Sequence, residues 1–258
     1  MDVRLYCFAH AGAGVSSFGR WPQRCGPGVE VVPVLLPGRE SRRHEPRPTG
    51  RRALLDTLLS EIAEAAVDRR PYVFYGHSLG GMVAYTLTRA LLDAGLPGPR
   101  LLAVGGCPAP HTVPPAAATD DITDDQLLRF LGDVGSAPEG ALASRNSVWH
   151  RAVLPVLRDD LRLARALRAA ALGTGEKLPM PVLAVGGSHD PVVGPQALDA
   201  WQQWTDDRCL RRTVPGDHFF VRGRELPRLI GRACRVAHRA DTRAGGLGAG
   251  ARTPGHRP

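Results

Sequence analysis

Six short β-rich runs, most of them continuously apolar and each too brief for a helix, recur along this chain at residues 3–8, 29–35, 72–75, 101–104, 182–185 and 209–214. Runs such as "VRLYCF" and "VLAV" show no strict alternation of apolar and polar positions. A strand wetted on one side alternates, whereas a continuous apolar run suits a strand covered on both faces, as in a parallel sheet. Parallel neighbours need crossovers long enough for a helix, and the intervening segments supply them. "TGRRALLDTLLSEIAEAAVDRR" sets Leu54, Leu55, Leu58, Leu59 and Ile62 at helical spacing, with Thr49 available as its cap. "GMVAYTLTRALLDAG" predicts another helix, running from Met82 and stopped by Gly95 and Pro97. The expected fold class is α/β, a mostly parallel twisted sheet with helices on both faces.

Two segments depart from this rhythm. Residues 108–172 hold helical stretches such as "DDQLLRFL" and "LRDDLRLARALRAAAL" but no strand. That is too long for an ordinary connection, and it is expected to form a helical lid over the carboxyl ends of the strands, where open α/β sheets bind ligands. Residues 239–258 have little to bury and are expected to be a disordered basic tail beyond a single domain of residues 1–238.

Composition narrows the classes of function. No basic stretch followed by a long apolar run opens the chain, so a cytoplasmic location is expected, with no membrane partner. Five scattered cysteines without C-x-x-C spacing argue against disulfides or a zinc site. Cys7, inside an apolar run, reads as a small core residue. The net charge of +8 includes +3 from the tail, where Arg239, Arg243, Arg252 and Arg257 face only Asp241. No basic helix or RNA-binding aromatic pattern accompanies it, so no nucleic-acid partner is expected.

The chemistry concentrates in "YVFYGHSLGGM". Gly76-His77-Ser78-Leu79-Gly80 reads as G-x-S-x-G, a pattern that arises by chance about 0.1 times in a chain with 30 glycines. Its position carries more weight. It lies between a strand and a helix, where small flanking residues allow a tight turn that exposes the serine. An acid and then a histidine should follow on later strand ends. "VLAVGGSHDP" supplies Asp190 and "TVPGDHFFV" supplies His218, in the order Ser, Asp, His. Asp217, His189 and Ser188 are close competitors, but adjacent residues rarely chain hydroxyl, imidazole and carboxylate together. His77 reads as a packed neighbour. An oxyanion hole is expected from the N–H of Leu79 and from the glycine-rich "CFAHAGAG", with Ala11 as donor and His10 as the alternative. Such a site hydrolyses an acyl bond through Ser78, with neither metal nor cofactor.

These motifs resemble those of the type II thioesterases that accompany nonribosomal peptide and polyketide synthases, built on the α/β-hydrolase fold. The likeness runs from about Leu5 to Val221: "LYCFAHAGAG", then Pro37-Gly38-Arg39, "GHSLGGMVAY", the stretch carrying Pro155, Leu157, Arg158 and Asp160, "VGGSHDP" and "GDHFFV". Ala9 and Ala13 stand where the family often has proline and glycine, and "GGCPAPH" replaces a Ser-Gly-Arg segment. The resemblance implies hydrolysis of acyl thioesters on the phosphopantetheine arm of acidic acyl or peptidyl carrier proteins; separately, a monomer is expected. Leu127, Leu128, Phe130 and Leu131 would then line an acyl channel or simply form core. A carboxylic esterase on the same fold is the alternative, and a non-catalytic binding module is disfavoured by the intact Ser78, Asp190 and His218.

Overall fold

The computed structural model describes residues 2–68, 70–112, 123–133 and 149–248. Six strands appear where the apolar runs are: β1 (Val3–Phe8), β2 (Val29–Val34), β3 (Tyr72–His77), β4 (Leu102–Gly105), β5 (Val182–Gly187) and β6 (Cys209–Val214). They pair in one sheet of order β2-β1-β3-β4-β5-β6, and every pairing is parallel. The chain leaves β1 toward one edge to form β2, then crosses back to β3 on the other side of β1. That reversal opens a crevice between the carboxyl ends of β1 and β3, the place where open α/β sheets take their ligands.

Successive residues point to opposite sides of the sheet, and on the central strands β1, β3, β4 and β5 both sides are buried. Leu5, Cys7, Val73 and Tyr75 share one core with Phe18, Trp21, Leu226, Ile230 and Cys234. Those partners belong mainly to α1 (Pro22–Cys25) and α7 (Glu225–Gly248) and the turns beside them. Tyr6, Phe8, Phe74 and Val104 face the opposite core, filled by α2 (Arg51–Val67), α3 (Leu79–Asp93) and α5 (Leu154–Thr174). Between α3 and α5 lies α4 (Asp124–Asp133), and α6 (Pro195–Asp199) follows β5.

The helix ends differ from expectation in three places. Gly50, in extended conformation, caps α2, and the exposed Thr49 makes no capping bond. Helix α3 begins at Leu79 rather than Met82, which makes Ser78 itself its N-cap. The tail expected to be disordered from residue 239 is helical through Gly248. No proline interrupts residues 228–248, and Arg239 donates to the Arg235 carbonyl one turn back. The remainder of that tail, residues 249–258, lies outside the described residues. No described helix is long and apolar enough to cross a membrane.

Candidate active site

Ser78 stands at the junction of β3 and α3 with φ 52° and ψ −115°, one of two described non-glycine residues with positive φ. Such a backbone is costly for a residue with a Cβ, on the order of 1–3 kcal/mol, and persists only where the surroundings impose it. Here they do. A methyl group on Gly76 would collide with the backbone of Gly80 and Gly81, and one on Gly80 with the carbonyls of Phe8 and Ala9. The two glycines of G-x-S-x-G thus let β3, α3 and the end of β1 meet without intervening side chains. The Ser78 N–H is held by the Gly105 carbonyl at 2.8 Å.

The loops after β5 and β6 bring the other two predicted residues together. His218 Nδ1 lies 2.9 Å from Asp190 Oδ2 and 3.1 Å from Oδ1, and the carboxylate is fully covered. A carboxylate can only accept, so Nδ1 carries the proton and Nε2 is left as a base. Asp190 also accepts the N–H groups of Val192 and Val193, which fix its rotamer. The competitors fall away for geometric reasons. Asp217 turns back to accept the Phe219 N–H at 2.7 Å, and His189 pairs with Ser188 on the exposed side of its loop. Gly106, one residue beyond Gly105, packs against both the His218 ring and Asp190. No described hydrogen bond joins Ser78 Oγ to His218; such contacts are often long before substrate arrives.

His77 is the packed neighbour the sequence suggested, and more. Its ring is wholly buried, with Nε2 2.7 Å from the His218 carbonyl and Nδ1 2.7 Å from the Tyr75 hydroxyl. The carbonyl only accepts, so Nε2 is the donor and Nδ1 accepts from Tyr75. Burial holds His77 well below the ordinary histidine range, helped by the neighbouring His10 and His218. The residue before Ser78 therefore ties β3 to the His218 loop.

The loop after β1 supplies the remaining wall. His10 C=O accepts the Ala13 N–H at 3.1 Å, and Gly12 has φ +78°. This is a type II turn, whose third position favours glycine. The His10–Ala11 peptide is planar, so its N–H points opposite to the carbonyl engaged by Ala13. Nothing among the described residues accepts the Ala11 N–H, whereas those of Gly12 and Ala13 are committed. His10 itself is buried against His77 and Phe219, its Nδ1 unpartnered, and burial lowers it to about 3.

Residues 3–234 match the thioesterase domain family. The chain belongs to the thioesterase family. Thioesterase PikA5 of Streptomyces venezuelae is 31% identical over 221 residues, covering 85% of this chain and 75% of that protein. Linear gramicidin dehydrogenase LgrE of Brevibacillus parabrevis, named for a different activity, is 30% identical over 223 residues, 85% of this chain and 82% of its own. Among solved structures, the RedJ thioesterase from the prodiginine pathway of Streptomyces coelicolor superposes with a TM-score of 0.78 at 33% identity, over 89% of each chain. The α/β-hydrolase frame and the type II thioesterase resemblance both stand, and the activity is thioester hydrolysis. The esterase alternative gains no support from these relatives.

In this thioesterase, sequence reasoning missed one element of the site. Arg39 and Asp160 were visible only as parts of motifs. They form a buried ion pair, 8% and 1% exposed, with Arg39 Nη2 2.7 Å from Asp160 Oδ1. Asp160 Oδ2 also accepts the Gly12 N–H at 2.7 Å, and Arg39 Nη1 donates to the Ala13 carbonyl at 2.9 Å. Burial pushes the Asp160 carboxyl up, while Arg39 and the Gly12 amide pull it down. Leu127, Leu128 and Leu131 of α4 are buried with Leu154 and Leu157 of α5, and Ala11 packs against them. A cleft of about 500 Å³ lined by Arg20, Arg24 and Arg222 includes none of Ser78, Asp190 or His218. Among the described residues no group of His, Cys, Asp or Glu could hold a metal.

Proposed function

We propose that this chain is a serine thioesterase in which Ser78 is the nucleophile, His218 the general base and Asp190 the acid that orients it. The observation that carries the reading is the His218–Asp190 pairing, set on the same sheet edge as the strained Ser78 turn. Ser78 Oγ attacks the thioester carbonyl as His218 Nε2 takes its proton. The N–H groups of Leu79 and Ala11 receive the developing oxyanion, each worth roughly 3 kcal/mol in the transition state. His218 returns the proton to the departing sulfur. That step is undemanding, since a thiol has an ordinary pKa of about 8.5. Water, deprotonated by His218, then frees the acyl group from Ser78. Side chains and main-chain amides carry every step without a cofactor.

The substrate of this reading is an acyl group on the phosphopantetheine arm of an acidic carrier protein in a cytoplasmic synthase, met by a basic monomer. Helix α4 and the start of α5, within the 108–172 insertion, form the lid over Ala11, and their leucines contact the acyl chain. The test is intact-protein mass spectrometry of a carrier loaded with a short acyl thioester. Wild type should strip the acyl mass, Ser78→Ala should not, and a free acyl ester should turn over poorly. A carrier left loaded while the ester is cleaved through Ser78 would remove the carrier from the proposal and keep the triad.

A further inference from the structure

The Arg39–Asp160 pair joins three segments far apart in sequence: the loop after β1, the Pro-Gly-Arg loop after β2, and α5. Its contacts are specific to the turn at His10–Ala13. Asp160 takes the N–H of the central Ala11–Gly12 peptide, and Arg39 takes the carbonyl of Ala13. Type I and type II turns differ by a flip of that central peptide. Glycine at position 12 leaves the flip open, because either sign of φ is available to it. In the observed turn the Gly12 N–H points at Asp160; flipped, the Ala11 carbonyl would face the carboxylate instead. A buried carboxylate therefore holds the Ala11–Gly12 peptide in one orientation, directly beside the His10–Ala11 peptide whose N–H is open. Arg39 completes the arrangement by pairing with the charge that would otherwise be stranded.

Helix α5 continues the same connections. Asp159 receives Arg47 at 2.7 Å and Arg162 at 3.2 Å, and Arg158 pairs with Asp124 at the start of α4. The consecutive residues Arg158, Asp159 and Asp160 thus hold the first lid helix, the loop after β2 and the turn after β1.

We propose that Asp160, held by Arg39, is a positioning residue that sets the turn at Ala11–Gly12, so that helix α5 of the lid is a structural part of the oxyanion hole. This rests on the reading of Ser78 and Ala11 given above. Asp160→Asn keeps the shape and an acceptor oxygen but removes the charge. It should lower kcat about 10²-fold, as loss of one oxyanion donor does, with KM within threefold of wild type. The readout that a merely structural role would not move is a pair of inhibitors. A trifluoromethyl ketone thioester mimic, which forms an anionic adduct with serine, should lose affinity in the same ratio as kcat/KM. The matching thioether, which forms no adduct, should bind as before.

Arg39→Gln combined with Asp160→Asn leaves no unpaired buried charge. It guards against a single variant that fails to fold and should show the same kcat loss. Equal weakening of both inhibitors, or kcat within threefold of wild type in a folded variant, overturns the proposal. Ser78→Ala separates the two levels. If it is inactive while Asp160→Asn is normal, only the positioning role falls. If it remains active, the reading of the site falls and takes this inference with it.

Discussion

Gly80→Ala is the sharpest single perturbation of the backbone that holds the site. A methyl group there would lie 2.5 Å from the Phe8 carbonyl carbon and 2.7 Å from the Ala9 oxygen, and closer still to the Phe8 oxygen. Real Cβ contacts essentially never fall below 3.0 Å, so the N-terminus of α3 must retreat from β1 by at least half an ångström. Both obstacles are backbone, so no side-chain rotation relieves them. Helix α3 begins at Leu79, and the loop after β1 carries Ala11, so the retreat opens the gap between the two proposed oxyanion donors. A misplacement of about 1 Å costs on the order of 10²-fold in rate, which puts Gly80→Ala at about a 10- to 100-fold loss of kcat/KM. Overpacking adds about 1–3 kcal/mol of destabilisation. The assay is thiol release from a short acyl-pantetheine thioester, with urea unfolding on the same samples. Gly173→Ala, in α5 with nothing within 4 Å, is the control; it should gain roughly 0.5–1 kcal/mol and leave the rate alone. A folded Gly80→Ala enzyme with kcat/KM within twofold of wild type would refute the argument that this contact sets the site.

Three further outcomes are expected. His10 sits at about 3 in the fold against 6.5 for the free side chain, so the unfolded chain binds the extra proton between those values. Stability is then full above pH 6.5 and declines as pH falls toward 3, by roughly 5 kcal/mol at the limit; a urea midpoint unchanged from pH 7 to 4 would contradict it, and His10→Phe should flatten the slope. Tyr75→Phe strands the buried Nδ1 of His77 and should cost about 1–3 kcal/mol in urea unfolding. Gly231→Ala drives a methyl group into the Cys25 carbonyl where α7 meets α1; it should lose about 1–3 kcal/mol with kcat changed less than threefold, since the displaced helix lies on the face away from α3.

The central strands β1, β3, β4 and β5 were legible because each is covered on both faces. "VRLYCF" and "CLRRTV" coincide with β1 and β6 to the residue, although β6 is an edge strand largely open to water. Asp190 and His218 were legible for a related reason: the ends of buried strands in a parallel sheet all arrive at one edge. What the sequence did not carry was pairing at long range. Nothing local marks Asp160 as the acceptor for Gly12, 148 residues away, because a buried ion pair leaves no periodic pattern. Helix boundaries were read less well than helix existence. Thr49 looked the better cap, yet the chain entered α2 through Gly50, whose extended backbone serves without any side-chain bond. Residues 239–248 were read as disordered because they have little to bury, yet continuity of backbone hydrogen bonds extends α7 past its packed portion.

The stitching of α1 to the chain's far end bears on the order in which the protein is made. Trp21 donates its indole N–H to the Val221 carbonyl across 200 residues, Arg24 reaches Arg222 and Gly223, and Arg235 returns to Cys25 and Pro27. The segment that follows His218 is therefore anchored on residues that left the ribosome first. Chains are made from the amino terminus at about 5–20 residues per second, so Ser78 is synthesised many seconds before His218, its proposed base. Until β6 has joined the sheet and α7 has closed over α1, a nascent chain holds the proposed nucleophile without its proposed base in place.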